Sequence, residues 1–230
     1  MFEGLIEKVV DFDDDAFRNI AAIVEDLFDD LSADPEDRAF GEALVSAGKD
    51  QEDFESLAIM RPFTYGASLS DSPHAAFSTR FSDGTRFGVW YGSLDLLTSV
   101  YETAYHFRRR MTDMLTVIAE EVVSERRVFL VHVGGILVDL RNKHHKFPKL
   151  LEKVDYSFTL AVGAYLYDNG QNGLLVESAR YRDGVNAAAF KPGILSNPRH
   201  HSYLIYRWMP GDSTMRIEKT RGRTWKVIEV

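Results

Sequence analysis

Turn signals built on glycine and proline cut the chain from Leu57 onward into short pieces, and that rhythm limits the fold more than any other feature. Phe81-Ser82-Asp83-Gly84, Asp168-Asn169-Gly170, Arg182-Asp183-Gly184, Pro210-Gly211-Asp212 and Arg221-Gly222-Arg223 all reverse a backbone readily. Between them lie stretches with strand character. Phe87 to Tyr91 reads as a strand ending in Gly92, and Gly173 to Phe190 as a hairpin turned at Arg182-Asp183-Gly184. Glu125 to Leu140 reads as two short strands separated at Gly134-Gly135 by a turn or bulge. Two segments have helical character: one capped by Ser93 and reaching about Val123, and Ser157 to Tyr167, stopped by Asp168-Asn169-Gly170. Short strands, tight turns and two helices make an α/β (α+β) domain with a mixed sheet.

The first part of the chain has a different texture. Residues 1–55 carry 18 acidic and 4 basic side chains, a net of −14, whereas residues 56–230 carry a net of +6 within the overall −8. Phe17, Ile20, Ala21, Ile23, Val24, Leu27 and Phe28 follow helical spacing behind a run of aspartates, which predicts a helix over residues 12–31. Asp34-Pro35-Glu36 starts a second helix through Phe40 and Leu44, and residues 45–56 read as a loop. The division expected is therefore an acidic helical extension, 1–55, packed through its apolar stripe on a main domain, 56–230.

Several functions are disfavoured. With no cysteine, neither a disulfide framework nor a thiolate zinc site can form, and no His-Glu-x-x-His or EF-hand loop occurs, so no metal is expected. The adjacent pairs His144-His145 and His200-His201 would point apart on a strand. The acidic start does not resemble a signal peptide, and the longest apolar stretch, Val128–Val138, contains His132 and is too short to span a bilayer. A cytoplasmic protein without membrane contact is the expectation. The mildly basic body suits a small polyanion such as a dinucleotide. It lacks the dense basic stripe with interleaved aromatics that direct nucleic-acid binding would need.

Five side chains have the chemistry such a ligand requires. Cleaving a glycosidic bond of such a ligand leaves a cationic, oxocarbenium-like sugar, which a carboxylate can stabilise. Forked guanidinium donors suit a pyrophosphate, and aromatic faces suit the rings. Arg61, Arg80, Tyr91 and Glu102 supply these types, with Ser178 further on. Glu102 shares a helix face with Asp95, Ser99 and His106, opposite an apolar stripe of Leu97, Val100, Ala104 and Phe107. That face either meets solvent or floors a cleft. Arg61, before Pro62, is either a held ligand contact or an exposed strand start. Arg80, before a turn, is either a phosphate contact or a surface residue. Ser178 has no Gly-x-Ser-x-Gly elbow around it and reads as a hydrogen-bonding residue and not a nucleophile.

Taken together, Thr79-Arg80-Phe81-Ser82-Asp83-Gly84, the strand to Tyr91, Tyr101-Glu102, and Gly173 to Arg180 followed by Asp183-Gly184-Val185-Asn186 and Phe190 resemble the blocks of the RES-domain toxins. The likeness covers roughly residues 57–195. Thr79, Phe81 and Ser82 stand where that family has glycine, tryptophan and asparagine, and Pro62 follows Arg61 where an aromatic is common. The resemblance implies a compact fold of ADP-ribosyltransferase type and NAD as substrate, cleaved with water or phosphate as acceptor. It implies Glu102, Arg61 and Ser178 as catalytic residues, and Arg61, Arg80, Tyr91 and Ser178 as the NAD-binding set. It also implies a helix-turn-helix (Xre-like) antitoxin as partner, with a homodimer possible inside that complex. ADP-ribosyl transfer to a specific protein, or ligand binding without catalysis on the same scaffold, are the alternatives.

Overall fold

A single strand of 18 residues, β3 (Val122–Asp139), organises the molecule. In the computed structural model, which describes residues 2–21, 54–63, 78–114 and 120–230, β3 pairs with three other strands. The remaining elements are β1 (Val9–Ala21), β2 (Trp90–Ser93), α1 (Leu96–Met114), α2 (Ser157–Asp168), β4 (Gly173–Glu177), β5 (Val185–Ala189), β6 (Leu195–Trp208), β7 (Thr214–Thr220) and β8 (Arg223–Glu229), with a π-helical turn at Ser56–Met60. The strand order is β1-β2-β5-β4-β3-β6-β7-β8, and β1 also pairs with β3. The first five strands therefore close into a ring, from which β6, β7 and β8 extend as a sheet. Among the described residues, only β3 and β4 run parallel.

Residues 9–21 form a strand, not the expected helix. β1 lies antiparallel to β3 from Val9 opposite Val138 to Ala21 opposite Arg126. Its even-numbered apolar side chains, Val10, Phe12, Ala16 and Ile20, pack inside the ring, which is a period of two. The aspartates that looked like a helix N-terminus make cross-strand pairs instead. Asp13 lies 2.9 Å from His132 Nε2, and Asp15 pairs with Arg199 of β6. The segment drawn as a separate extension thus supplies a strand to the central ring. The rest of the expected helix, the second helix and the loop at 45–53 lie outside the described residues.

Three further boundaries differ from expectation. β3 runs straight through Gly134 and Gly135, which stand opposite Asp13 and Phe12 of β1, so no turn divides it. α1 ends at Met114, and Val122 already belongs to β3. Its N-terminal side-chain cap is Asp95, whose Oδ1 accepts from Thr98 N at 2.8 Å, and not Ser93. The hairpin and α2 form as expected, with Asp183 in the left-handed region (φ 63°) at the turn.

Alternation sorts the side chains into three cores. Inside the ring, Trp90 packs against Phe129, Val131, Val133, Leu137, Leu175, Ala187 and Ala189, and Ala58 and Ile59 of the π-helical turn close one side. Trp90 Nε1 donates to the Ala58 carbonyl at 2.7 Å. Outside, α2 covers Val138, Leu140, Leu174 and Val176. α1 covers Leu204, Tyr206, Met215 and Ile217 through Val100 and Ala104. Asn19 of β1 donates to Tyr206 Oη, which also meets Thr103 Oγ1, both at 2.9 Å, fixing the rotation of α1 about its axis. Two glycines allow close approach. A Cβ at Gly163 of α2 would lie 1.9 Å from the Phe81 carbonyl oxygen, and one at Gly184 would lie 2.3 Å from Thr98 Oγ1 of α1.

The end of β3 is held by a buried charge. Asp139 accepts from Arg141 Nε and Nη2 at 2.8 and 2.9 Å and lies 2.6 Å from Lys8 Nζ. Burial alone would raise this carboxyl, but the bonds from Arg141 and Lys8 outweigh it and hold the group well below the usual carboxylate range. A depressed native value contributes stability that is complete above the unfolded-state value of about 3.9 and is lost as pH falls below it. Asp139→Asn is expected to cost about 3 kcal/mol in urea unfolding at neutral pH, and somewhat less near pH 3, where the loss has begun. An equal cost at both pH values would show that charge is not the source.

Candidate functional site

α1 presents Glu102 to the outer face of the ring, where the β4–β5 hairpin arrives. Ser178, just past β4, donates from Oγ to Glu102 Oε1 at 2.7 Å. Asn186 of β5 donates from Nδ2 to the same oxygen at 2.8 Å. Both donors fall on Oε1, so among the described residues Oε2 is the carboxylate oxygen left to meet a ligand. Ser178 Oγ also accepts the backbone N–H groups of Arg180 and Tyr181, each at 3.0 Å. A hydroxyl that donates once and accepts twice has no lone pair spare for attack, so its geometry is that of a positioning group.

Tyr91 joins this cluster from β2. Burial, followed by the nearby charge of Glu102, pushes its phenol far above its ordinary value, against smaller opposing effects of Arg80 and Asn186. It therefore remains a protonated donor at any physiological pH. Asn186 is fully buried and accepts at Oδ1 from Ser93 Oγ at 2.7 Å.

The expected arginines divide. Arg80 is near enough for its charge to act on Tyr91. Its Nη2 donates to the carbonyls of Leu150 and Glu152 at 2.6 and 2.7 Å, and its guanidinium lies over the Tyr156 ring. Both Nη2 hydrogens are thus committed, and Arg80 offers a phosphate its charge and Nη1 in place of a full fork. Arg80→Lys is expected to lower thermal stability, because one ammonium cannot bridge those carbonyls as the guanidinium does, a loss of about 1–3 kcal/mol. A melting midpoint equal to the parent's would show that the clamp carries no weight.

Arg61 follows the π-helical turn, is exposed, and acts electrostatically on Arg18. Arg18 was not expected from sequence. It donates from Nη1 to the Tyr91 carbonyl at 2.7 Å and lies over the Trp90 ring. Burial, then Arg126 and Arg61, bring its guanidinium down to about 10. Arg180 is pinned by the Tyr105 ring 3.4 Å away and by Tyr156 Oη at 2.7 Å. Arg80, whose charge reaches Tyr91, and Arg180, whose backbone N–H meets Ser178 Oγ, bring positive charge near the Glu102 cluster, a field suited to an anionic ligand.

Asn186 is the other residue that site reasoning missed. The available signal was an amide between Val185 and a run of three alanines, a polar group where a strand should be apolar. Among the described residues, no three His, Asp or Glu side chains gather to hold a metal, and no helix is long and apolar enough to cross a membrane.

A family model described as the RES domain matches residues 51–209. No curated protein matches the chain. Among solved structures, a chain of the M. tuberculosis MbcT-MbcA toxin-antitoxin complex aligns at 13% identity over 87% of this chain and 91% of that one, with a TM-score of 0.47.

Proposed function

The chain belongs to the RES-domain family, and from that membership and the site we propose that it is the toxin of a bacterial toxin–antitoxin pair that consumes NAD. The observation that carries the reading is Glu102, a carboxylate with both its donors on Oε1 and the positive charge of Arg80 and Arg180 near its cluster. As the bond between ribose C1′ and the nicotinamide nitrogen breaks, the electron pair leaves with neutral nicotinamide and positive charge develops on the sugar. Glu102 Oε2 stabilises that charge, an effect on the order of 2.7–4 kcal/mol for preorganised groups of this kind. Ser178 holds Glu102 in place, Tyr91 packs the cofactor and donates from its phenol, and Arg61 and Arg80 supply positive charge for the pyrophosphate. Water or phosphate then attacks C1′ and completes the cleavage. The partner on this reading is a helix-turn-helix antitoxin that masks the site.

Incubating the purified protein with NAD, with and without phosphate, and identifying products by mass tests the reading. Free nicotinamide with ADP-ribose, or with its 1″-phosphate, is the expected result. Intact NAD under both conditions would overturn it.

A further inference from the structure

We propose that Asn186 is the positioning residue of this site, the amide through which β2 and β5 fix Glu102. The inference rests on the reading that Glu102 is the working carboxylate, and it adds how the carboxylate is aimed. Asn186 is fully buried, and each of its polar atoms has a use. Oδ1 accepts from Ser93 Oγ at 2.7 Å, and Nδ2 donates to Glu102 Oε1 at 2.8 Å. Ser93 and Tyr91 are two residues apart on β2, and Asn186 stands directly opposite Ser93 in the ladder. The backbone pairing of β2 and β5 therefore sets the amide, and the amide sets the carboxylate on α1.

Packing alone does not call for this residue. Its neighbours Ala187, Ala188 and Ala189 fill the rest of β5, and exchanging a buried hydrogen-bonded set for apolar groups is often nearly neutral. An amide is what the geometry needs, because Glu102 requires a donor while Ser93 is served by an acceptor. A carboxyl of the same shape serves Ser93 equally well, but donates to Glu102 only while it keeps its proton.

That difference supplies the test. Asn186→Asp keeps volume and the Ser93 bond. At alkaline pH it places two negative charges together, which share one proton as pH falls. NAD turnover is expected to fall on the order of 100-fold at alkaline pH, with the Michaelis constant for NAD little changed. It should recover toward parent values in acid, giving the variant an alkaline limb the parent lacks. A merely structural residue would not create that limb, and a loss that persists at every pH would overturn the proposal, as would turnover equal to the parent's throughout. Should that variant fold poorly, Ser93→Ala tests the same chain, with a kcat loss at unchanged Michaelis constant expected and an unchanged kcat overturning it. An arm independent of turnover uses the side-chain amide signal of Asn186 in nitrogen-15-labelled protein. Glu102→Gln should shift it strongly. An unmoved signal would sink the positioning role, whereas a shifted signal in a protein that leaves NAD intact would sink only the NAD reading.

Discussion

Glu102→Gln is expected to abolish growth arrest when the protein is expressed alone in bacteria, and to leave cellular NAD at its uninduced level. The substitution keeps the volume and an oxygen that can accept from Ser178 and Asn186, so the α1–hairpin contact survives. What disappears is the negative charge, and with it stabilisation of the sugar cation, roughly a 100- to 1000-fold loss in turnover. The measurement is intracellular NAD alongside growth, with thermal melting to confirm that the variant folds. NAD loss at the parent's rate in the folded variant would remove Glu102 from the chemistry. Arrest by the parent with NAD unchanged would point to ADP-ribosyl transfer onto a specific target.

Deleting residues 1–50 should prevent folding altogether. The loss includes β1, which pairs with β3 from Val9 to Ala21 and closes the ring of five strands. Without it the backbone of β3 loses one of its ladders, and Val10, Phe12, Ala16 and Ile20 vacate the core beside Trp90 and Phe129. Val10, Phe12 and Ile20, at no more than about 1.5–3 kcal/mol each, together with the lost ladder are a large share of the stability of an ordinary domain, about 5–15 kcal/mol. Arg18 and Asn19 go too, one from the Tyr91 carbonyl and the other from Tyr206. The truncated chain is expected to be insoluble or to unfold without cooperativity in calorimetry. A soluble fragment melting within a few degrees of the full chain would show that β1 is an accessory strand.

The contrast between β1 and the hairpin shows where sequence reasoning runs out. The hairpin is legible because Arg182-Asp183-Gly184 acts locally: a positive φ at Asp183 followed by glycine determines the reversal before any tertiary contact exists. β1 is illegible because its apolar residues fit a period of 3.6 nearly as well as one of 2, and its aspartates suit a helix start. Only the partner decides, since His132 and Arg199 lie far off in sequence. Gly134-Gly135 misleads for the same reason. The pair looks like a break, but β1 pairs across it and holds it extended.

The site divides along the same line. The residue types, the turn that joins the Ser178 and Asn186 segments, and the polar face of α1 that carries Glu102 are all legible in the sequence. It could not tell whether that face met solvent or other side chains, because amphipathic periodicity reports a polar side and not what stands opposite it. Packing of distant segments is what makes Ser178 and Asn186 converge on one oxygen of Glu102, commits Nη2 of Arg80 to two carbonyls, and brings the charge of Arg61 within reach of Arg18. Hydrogen bonds of about 3 Å depend on the register of strands and the rotation of a helix, and these are set by the summed packing of the ring, not by any local run of residues.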